Sequence, residues 1–185
     1  MKKDIVRTLA LLIFVSVLSA CGTTSKLRNV QGAQACDFSA YDTVIVNDFK
    51  DGITISKDDP HIVSEGKRFA DIIASNIRSK HVFNKVVRNQ YSTAQALLID
   101  GEITQYEEGN PAARVILGFG AGRSHFDAKV YAKDNRTKKL LADIIVDHRS
   151  WALGGAIAGS QDVKAHMNYA SSKIASEIAK AKQSK

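Results

Sequence analysis

A stretch of strand, turn, glycine-rich run and strand between Gly101 and Val130 constrains the fold more than any other feature. Residues 97–106 alternate between apolar and polar side chains, and residues 124–133 do so again more regularly. This period of two is typical of strands that bury one face and expose the other. Between them, residues 107–111 have the glycine, asparagine and proline of a tight turn. The pattern predicts two strands that each place one face on a core and one in water.

The run between the two strands, residues 114–123, alternates three glycines with apolar residues. Glycines can expose backbone N–H groups to a phosphate, but here an alternating strand follows instead of a helix, which disfavours a nucleotide site. We therefore interpret the run as a kinked or bulged strand, where glycine allows a bend or a close backbone approach. The alternative is a surface that touches lipid or a partner chain. The residues of this glycine corner are Arg114, Gly118, Gly120 and Gly122.

The same region carries a resemblance to a known family. Its pattern is G-x-I-x-x-Y from Gly101, a Gly-Asn turn, the pair Ala113-Arg114, the run G-F-G-A-G at 118–122, an alternating strand and a polar D-x-x-T turn. This pattern resembles an uncharacterised bacterial lipoprotein family that is known as a domain of unknown function. The likeness covers approximately residues 40–180. It implies a class of protein and a location in the cell, and it implies no activity.

The first twenty residues are typical of a lipoprotein signal peptide. Three basic residues flank the start of a short apolar run, residues 9–18, which is too short to indicate a membrane span. The run ends in Leu18-Ser19-Ala20-Cys21, which resembles the bacterial lipobox, whose cysteine receives diacylglycerol. We expect acylation of Cys21 and stable anchoring, since two or more acyl chains hold a protein on a membrane. The alternative is an uncleaved anchor or an ordinary signal peptide.

Gly22 indicates which membrane receives the protein. By resemblance to enteric lipoproteins, an aspartate after the lipidated cysteine would favour the inner membrane, and a glycine permits export to the outer membrane. The expected location is therefore the periplasm-facing side of the outer membrane. The small polar residues that follow are typical of a flexible linker. We predict a signal peptide at 1–20, a lipidated flexible tether at 21–40 and a single globular domain at 41–182.

Composition and charge limit the classes of partner. Hydrophobic residues make up 44% and charged residues 24% of the chain, as expected for a globular domain with a substantial core. Removing residues 1–20, with three basic and one acidic residue, lowers the net charge from +7 to +5. Such mild basicity suits an anionic membrane surface or a polyanion, but we favour the interpretation as an ordinary solvated surface. The basic residues are scattered and form no run with interleaved aromatic residues, so nucleic-acid binding is not predicted.

The order of the remaining elements predicts the fold class. Residues 43–49 read as an apolar strand, and Asp59 with Pro60 as the cap and first residue of a helix whose apolar residues recur every three or four positions. Residues 82–88 then form a strand, which suggests a crossover between parallel strands. Residues 140–149 should pair antiparallel with the preceding strand, and Ser160 should cap a final amphipathic helix. We predict an α/β (α+β) domain: a mixed, mainly antiparallel sheet of about five strands with two amphipathic helices on one face.

Polar side chains on the later strands could converge into a site with chemistry. Two carboxylates and a histidine could bind a divalent metal or act as acid and base. The ordinary alternative is a solvated sheet face whose acids pair with Lys129 and Arg149. We favour that alternative, and predict no catalytic residue, no metal ligand and no cofactor, with His125 and Asp127 on the surface. The polar residues concerned are Asp100, Glu102, His125, Asp127, Asp143 and Asp147.

The other histidines and the remaining cysteine show no catalytic spacing. His61, His81, His148 and His166 are expected at the surface or at helix ends. Cys36 has no intrachain partner once Cys21 is acylated. We interpret it as a small residue buried in apolar surroundings, with intermolecular pairing as the alternative.

Two aromatic residues lie in glycine-rich runs, Phe119 in the first and Trp151 in the second. Each can be a core anchor, or the two can form an apolar patch that docks a partner or dips into lipid. We predict a non-enzymatic, lipid-anchored periplasmic binding or protein-interaction module with an envelope protein as its partner. The first alternative is a structural envelope subunit that self-associates through its glycine-rich loops, and the second is a metal-binding protein or hydrolase.

Overall fold

The computed structural model describes residues 25–30, 36–55, 57–110, 124–149 and 162–184. Within these ranges neither helix combines the length and the apolar character that a membrane span needs. The elements in chain order are β1 (Leu27–Asn29), β2 (Thr43–Val46), β3 (Lys50–Asp51), α1 (Pro60–Arg78), β4 (Lys85–Arg88), β5 (Leu97–Glu107), β6 (His125–Asp134), β7 (Leu140–Arg149) and α2 (Val163–Gln183).

One sheet runs through the described part of the chain, in the order β1-β7-β6-β5-β2-β4, with β3 beside β5. The three long strands β5, β6 and β7 form an antiparallel meander, and β1 adds antiparallel to β7. The shorter strands β2, β3 and β4 pair in parallel. The predicted mixed, mainly antiparallel sheet with two helices on one face is therefore confirmed. In the described residues the sheet has seven strands: the five predicted ones and the short strands β1 and β3.

Helix α1 begins where the sequence predicts. The Asp59 side chain accepts a hydrogen bond from the His61 N–H at 2.8 Å, and Pro60 occupies the first helical position, where no donor is lost. The apolar stripe is buried along the whole helix. Helix α1 lies between the parallel strands β2 and β4 in the chain, so the predicted strand–helix–strand crossover is present.

Helix α2 has a different cap from the predicted one. The N-cap is Asp162 and not Ser160: the Asp162 side chain accepts a hydrogen bond from the Ala165 N–H at 2.7 Å. Ser160 lies outside the described residues. An ionised carboxylate is favoured at a helix N-terminus, since it meets unpaired donors and the positive end of the dipole. The predicted apolar stripe is buried and packs on the sheet; its residues are Val163, Met167, Ala170, Ile174 and Ile178.

The core forms around Phe49 at the contact between sheet and α1. The Phe49 and Phe69 rings meet edge to face at 4.9 Å, and Phe69 meets Phe126 at the same distance. Two glycines make room for Phe49. A Cβ on Gly66 would lie 2.2 Å from the Phe49 carbonyl oxygen, and a Cβ on Gly101 would lie 2.6 Å from the ring and 2.1 Å from the Lys129 carbonyl oxygen.

The folded domain reaches into the segment that was predicted to be a tether. Leu27, Arg28 and Asn29 pair in register with Ile144, Asp143 and Ala142 of β7. The Arg28 guanidinium also donates to the Asp143 carboxylate, with 2.8 Å from Nε to Oδ1. Further on, Phe38 is fully buried, and its N–H donates to the Ala181 carbonyl at 2.8 Å. The interpretation of residues 21–40 as a flexible tether is therefore wrong for β1 and for the residues next to Phe38.

Candidate functional site

Buried and charged polar groups concentrate at one end of the sheet. Glu107, His125 and Arg149 lie side by side there, at the end of β5, the start of β6 and the end of β7. We call this end the upper edge, and the opposite end, with the β6–β7 turn from Asp134 to Lys138, the lower edge. In the chain, residues 111–123 connect β5 to β6 and residues 150–161 connect β7 to α2; both glycine-rich runs lie outside the described residues.

A compact cluster at the upper edge consists of His125, Asp127 and Asp147. It lies on the face of the sheet opposite the two helices, which we call the open face. One ligand atom from each lies within 4.8 Å of the others. The His125 Nε2 lies 2.9 Å from Asp127 Oδ1 and 3.6 Å from Asp147 Oδ1. Asp127 and Asp147 are directly opposite each other on neighbouring strands. The antiparallel register therefore brings together residues that lie far apart in the sequence.

Two carboxylates at directly opposite positions repel each other, so this pairing favours a positive charge between them. A divalent transition metal would supply such a charge, because imidazole and carboxylates suit such ions. The expectation that His125 lies at the surface is wrong, since the residue is only 8% exposed, and Asp127 is half-buried. The absence of a metal site remains a prediction.

A second cluster lies between β7 and the first turn of α2. The rings of His148 and His166 stack with 6.2 Å between centroids and 20° between planes. His148 Nε2 lies 3.1 Å from the Ser25 hydroxyl, and His166 Nε2 lies 3.1 Å from the Ser124 hydroxyl. The Tyr169 ring packs against His148 in a T-shaped arrangement, with 5.2 Å between the ring centroids. The pair thus joins the N-terminal segment, the start of β6, the end of β7 and α2.

The expectation of a surface or helix-end position is wrong for His148, which lies in β7 and is 1% exposed. His166 does lie near a helix end, in the first turn of α2, but it is only 8% exposed. Burial first, and then the neighbouring His166, lower the pKa of His148 to about 4, while Asp147 opposes both. His148 is therefore neutral near pH 7. Its position was readable in the sequence, since it continues the buried parity of Ala142, Ile144 and Val146.

A cleft of about 480 Å³ opens beside the histidine pair, between the N-terminal segment and one face of α2. Three of its lining side chains are lysines and one is a glutamate, Glu177, which pairs with Lys180 at 2.7 Å. The ammonium of Lys173 lies over the Tyr169 ring, 5.6 Å from its centroid. The full lining is Ser25, Lys26, His148, Tyr169, Lys173, Glu177 and Lys180.

The rest of the open face is the charged surface that the sequence predicts. Lys129 pairs with Glu102 directly across the strands at 3.0 Å, and Lys133 pairs with Asp100 at 2.7 Å. Cys36 is half-buried against the core and is a free thiol. Several predicted site residues lie outside the described residues: Cys21, Arg114, Gly118, Phe119, Gly120, Gly122 and Trp151.

Sequence comparison defines the class of the protein. A family model described as a domain of unknown function, DUF4410, matches residues 44–154. The chain belongs to this family. Comparison with curated protein sequences gives no match.

Comparison with solved structures extends the likeness to most of the chain. A PelC dodecamer from Paraburkholderia phytofirmans is similar with a TM-score of 0.56 and 12% identity, over 83% of this chain and 96% of that chain. A single-substitution variant of the same dodecamer gives 0.54 and 11% identity over the same shares. A protein described as a homologue of the neuraminyllactose-binding hemagglutinin, from Helicobacter pylori, gives 0.43 and 14%, over 83% of this chain and 88% of that chain. At these identities the likeness to PelC shows the fold.

Proposed function

We propose that the protein is a lipid-anchored lipoprotein of the bacterial cell envelope, on the periplasm-facing side of the outer membrane, and that it acts as a binding or protein-interaction module. The observation that carries the proposal is the sequence Leu18-Ser19-Ala20-Cys21 after a basic start and a short apolar run. Gly22 supports export to the outer membrane. The partner it engages is an envelope protein or a second copy of the chain.

Replacement of the acylated cysteine tests this function. Cys21→Ser should abolish metabolic labelling by a fatty-acid analogue and move the protein from the membrane to the soluble fraction. The fold should remain, since the change lies before β1. Cys36→Ser is the matched control, and it should keep the label because Cys21, the proposed acylation site, is unchanged. If mass spectrometry of the mature protein from the native host showed an unacylated N-terminus, that result would contradict the proposal.

The alternative of a structural subunit that self-associates is favoured by one observation. Both PelC structures of similar fold are dodecamers. In the described part of the chain the sheet ends in two short strands, β1 and β4, and end strands are the usual places where a sheet continues from one copy to the next. Native mass spectrometry of the acylated protein in detergent tests the alternative. A closed oligomer supports it, and a monomer at micromolar concentration contradicts it.

The two glycine-rich runs provide a second test of the interaction. In the chain, Phe119 lies between β5 and β6 and Trp151 follows the end of β7, and these strand ends meet at the upper edge. If they form the apolar patch, Phe119→Ser with Trp151→Ser should weaken association with the partner or the membrane while the described core keeps its stability. Equal crosslinking of parent and double variant in intact envelopes would show that these residues are core anchors or plain loop residues. A metal-binding protein or hydrolase remains the most distant alternative, and it rests on the His125 cluster.

A further inference from the structure

The folded domain begins much closer to the acylated cysteine than the sequence suggests. A tether from Cys21 to residue 40 would let the domain stand roughly 65 Å from the membrane, at about 3.4 Å for each extended residue. Strand β1 pairs with β7, and Ser25 already contacts His148. Four residue steps separate Cys21 from Ser25, and they span at most roughly 14 Å. A lipid on Cys21 would therefore hold the upper edge near the headgroups.

The surface around Ser25 has the charge that such a position needs. The cleft beside it is lined by Lys26, Lys173 and Lys180, all exposed, with Glu177 as the one carboxylate among its lining residues. Lysines near an anionic membrane surface gain about 1 kcal/mol each. One of these lysines, Lys180, pairs with Glu177 at 2.7 Å, as Lys129 and Lys133 pair with carboxylates on the open sheet face. Three lysines and one glutamate leave the lining residues with a net charge of +2.

We propose that this cleft is a headgroup-binding surface: its three lysines contact anionic phospholipid headgroups, and the short connection to Cys21 presents this side of the domain to the membrane. The inference rests on the proposed acylation of Cys21. The connection between β4 and β5, which contains Thr93, then lies on the far side of the domain from the lipid, because β1 and β4 are the two end strands of the described sheet.

The orientation is tested with the acylated mature protein in vesicles that contain a phosphatidylglycerol fraction and a headgroup-attached fluorescence quencher. In a Cys36→Ser background, one fluorophore is placed at Ser172→Cys, beside Lys173 on the exposed side of α2. The other is placed at Thr93→Cys, next to the Asn135 amide at the lower edge. We expect strong quenching at position 172 and weak quenching at position 93. Equal quenching, or stronger quenching at position 93, would overturn the proposal.

The charge is tested at the same label with Lys26→Gln, Lys173→Gln and Lys180→Gln together. The ratio of docked to undocked protein should fall about fivefold for each lysine, and the difference between phosphatidylglycerol and neutral phosphatidylcholine vesicles should disappear. The matched control replaces three exposed lysines elsewhere, Lys80, Lys85 and Lys139, and should retain docking. An unchanged lipid preference in the first variant, or an equal loss in the control, would overturn the proposal.

The two proposals fail in distinguishable ways. Absence of acyl chains on Cys21 by mass spectrometry removes the proposed function and with it the short connection. Acylated protein whose labels at 172 and 93 behave alike leaves the lipoprotein assignment intact and removes the headgroup surface. A 12-residue Gly-Ser insertion between residues 24 and 25 separates connection from charge: quenching at 172 should then depend on phosphatidylglycerol more steeply than in the parent. No change in that dependence would contradict the role of the short connection.

Discussion

The two edges of the sheet use buried polar groups in opposite ways. At the lower edge, Asp134 accepts hydrogen bonds from the Thr137 N–H and hydroxyl and from the Tyr41 hydroxyl, at 2.7, 2.8 and 3.0 Å. These donors, with the Thr137 N–H first, hold the pKa of Asp134 below its usual value, so the carboxylate stays ionised. At the upper edge, burial keeps His148 neutral. One edge uses a stabilised charge, and the other excludes a charge.

This difference has its origin in sequence distance. Asp134 and Thr137 lie three residues apart, so the lower turn carries most of its own hydrogen bonds. His148 and Ser25 are 123 residues apart, and the cluster exists only when β1, β6, β7 and α2 are in place. A local network closes a turn whatever the rest of the molecule does. A network of groups that are distant in the sequence forms only when the helices and strands that carry them are correctly placed, so it is lost when one of them moves.

The comparison assumes that both edges unfold together as one cooperative unit. Gly101→Ala, in the middle of β5, tests this assumption and should have the largest effect on stability. The new methyl group would meet the Lys129 carbonyl at 2.1 Å and the Phe49 ring at 2.6 Å. Such overpacking should lower the free energy of unfolding by about 3 kcal/mol, since backbone cannot move aside cheaply. Urea unfolding followed by circular dichroism measures the loss, with Glu102→Ala on the open face as control. An unchanged midpoint would mean that β5 and Phe49 are farther apart than described.

The next effect is a pH dependence that sharpens the contrast. His148 has a pKa of about 4 in the folded protein and an ordinary value near 6.5 when unfolded. The unfolded chain therefore binds more protons between these values. The stability from the neutral histidine is complete above pH 6.5 and is lost as the pH falls towards 4, by about 3 kcal/mol. Asp134 has a lowered pKa, so its contribution is lost only below its ordinary value near 3.8. The two edges should fail in successive pH windows.

Thermal melts between pH 7.5 and 4.5 measure the upper window. In His148→Gln the slope of melting temperature against pH should be much smaller than in the parent. The Tyr41→Phe variant, which removes one donor to Asp134, should be less stable at every pH in this range but keep the parental slope. Equal slopes in His148→Gln and the parent would show that other groups, among them His166 and Asp147 beside the pair, control the response.

The sequence predicted the elements with long periodic patterns, and it failed where the pattern was short or polar. The stripes of α1 and α2, the parity of β5, β6 and β7, and the Asp59 cap all agree with the structure. Strands β1 and β3 have three and two residues, which is too few for a period to show. Their place in the sheet is decided by partners far away in the chain.

Individual glycines and histidines also show where prediction from the sequence fails. The sequence directed attention to Gly118, Gly120 and Gly122, yet the close approaches in the described core occur at Gly66 and Gly101, which lie inside regular periodic stretches. His148 and His166 are expected from residue type at the surface or at helix ends, although each occupies a buried position of its strand or helix. Position within the period was the better guide than polarity.

The smallest expected effect concerns the His125 cluster. A metal bound there would contradict the view that the polar groups of the upper edge have only a structural role. If the cluster is a structural group of the upper edge, His125→Ala should cost more than the double change of His125 and Asp127 to Ala. The single change leaves Asp127 and Asp147 opposite each other without the imidazole, whereas the double change removes the repulsion as well. We expect the double variant to stay within about 1 kcal/mol of the parent. Elemental analysis of the purified protein should show no stoichiometric transition metal. Zinc or manganese at one equivalent, lost in the double variant, would contradict this and make the open sheet face a metal site.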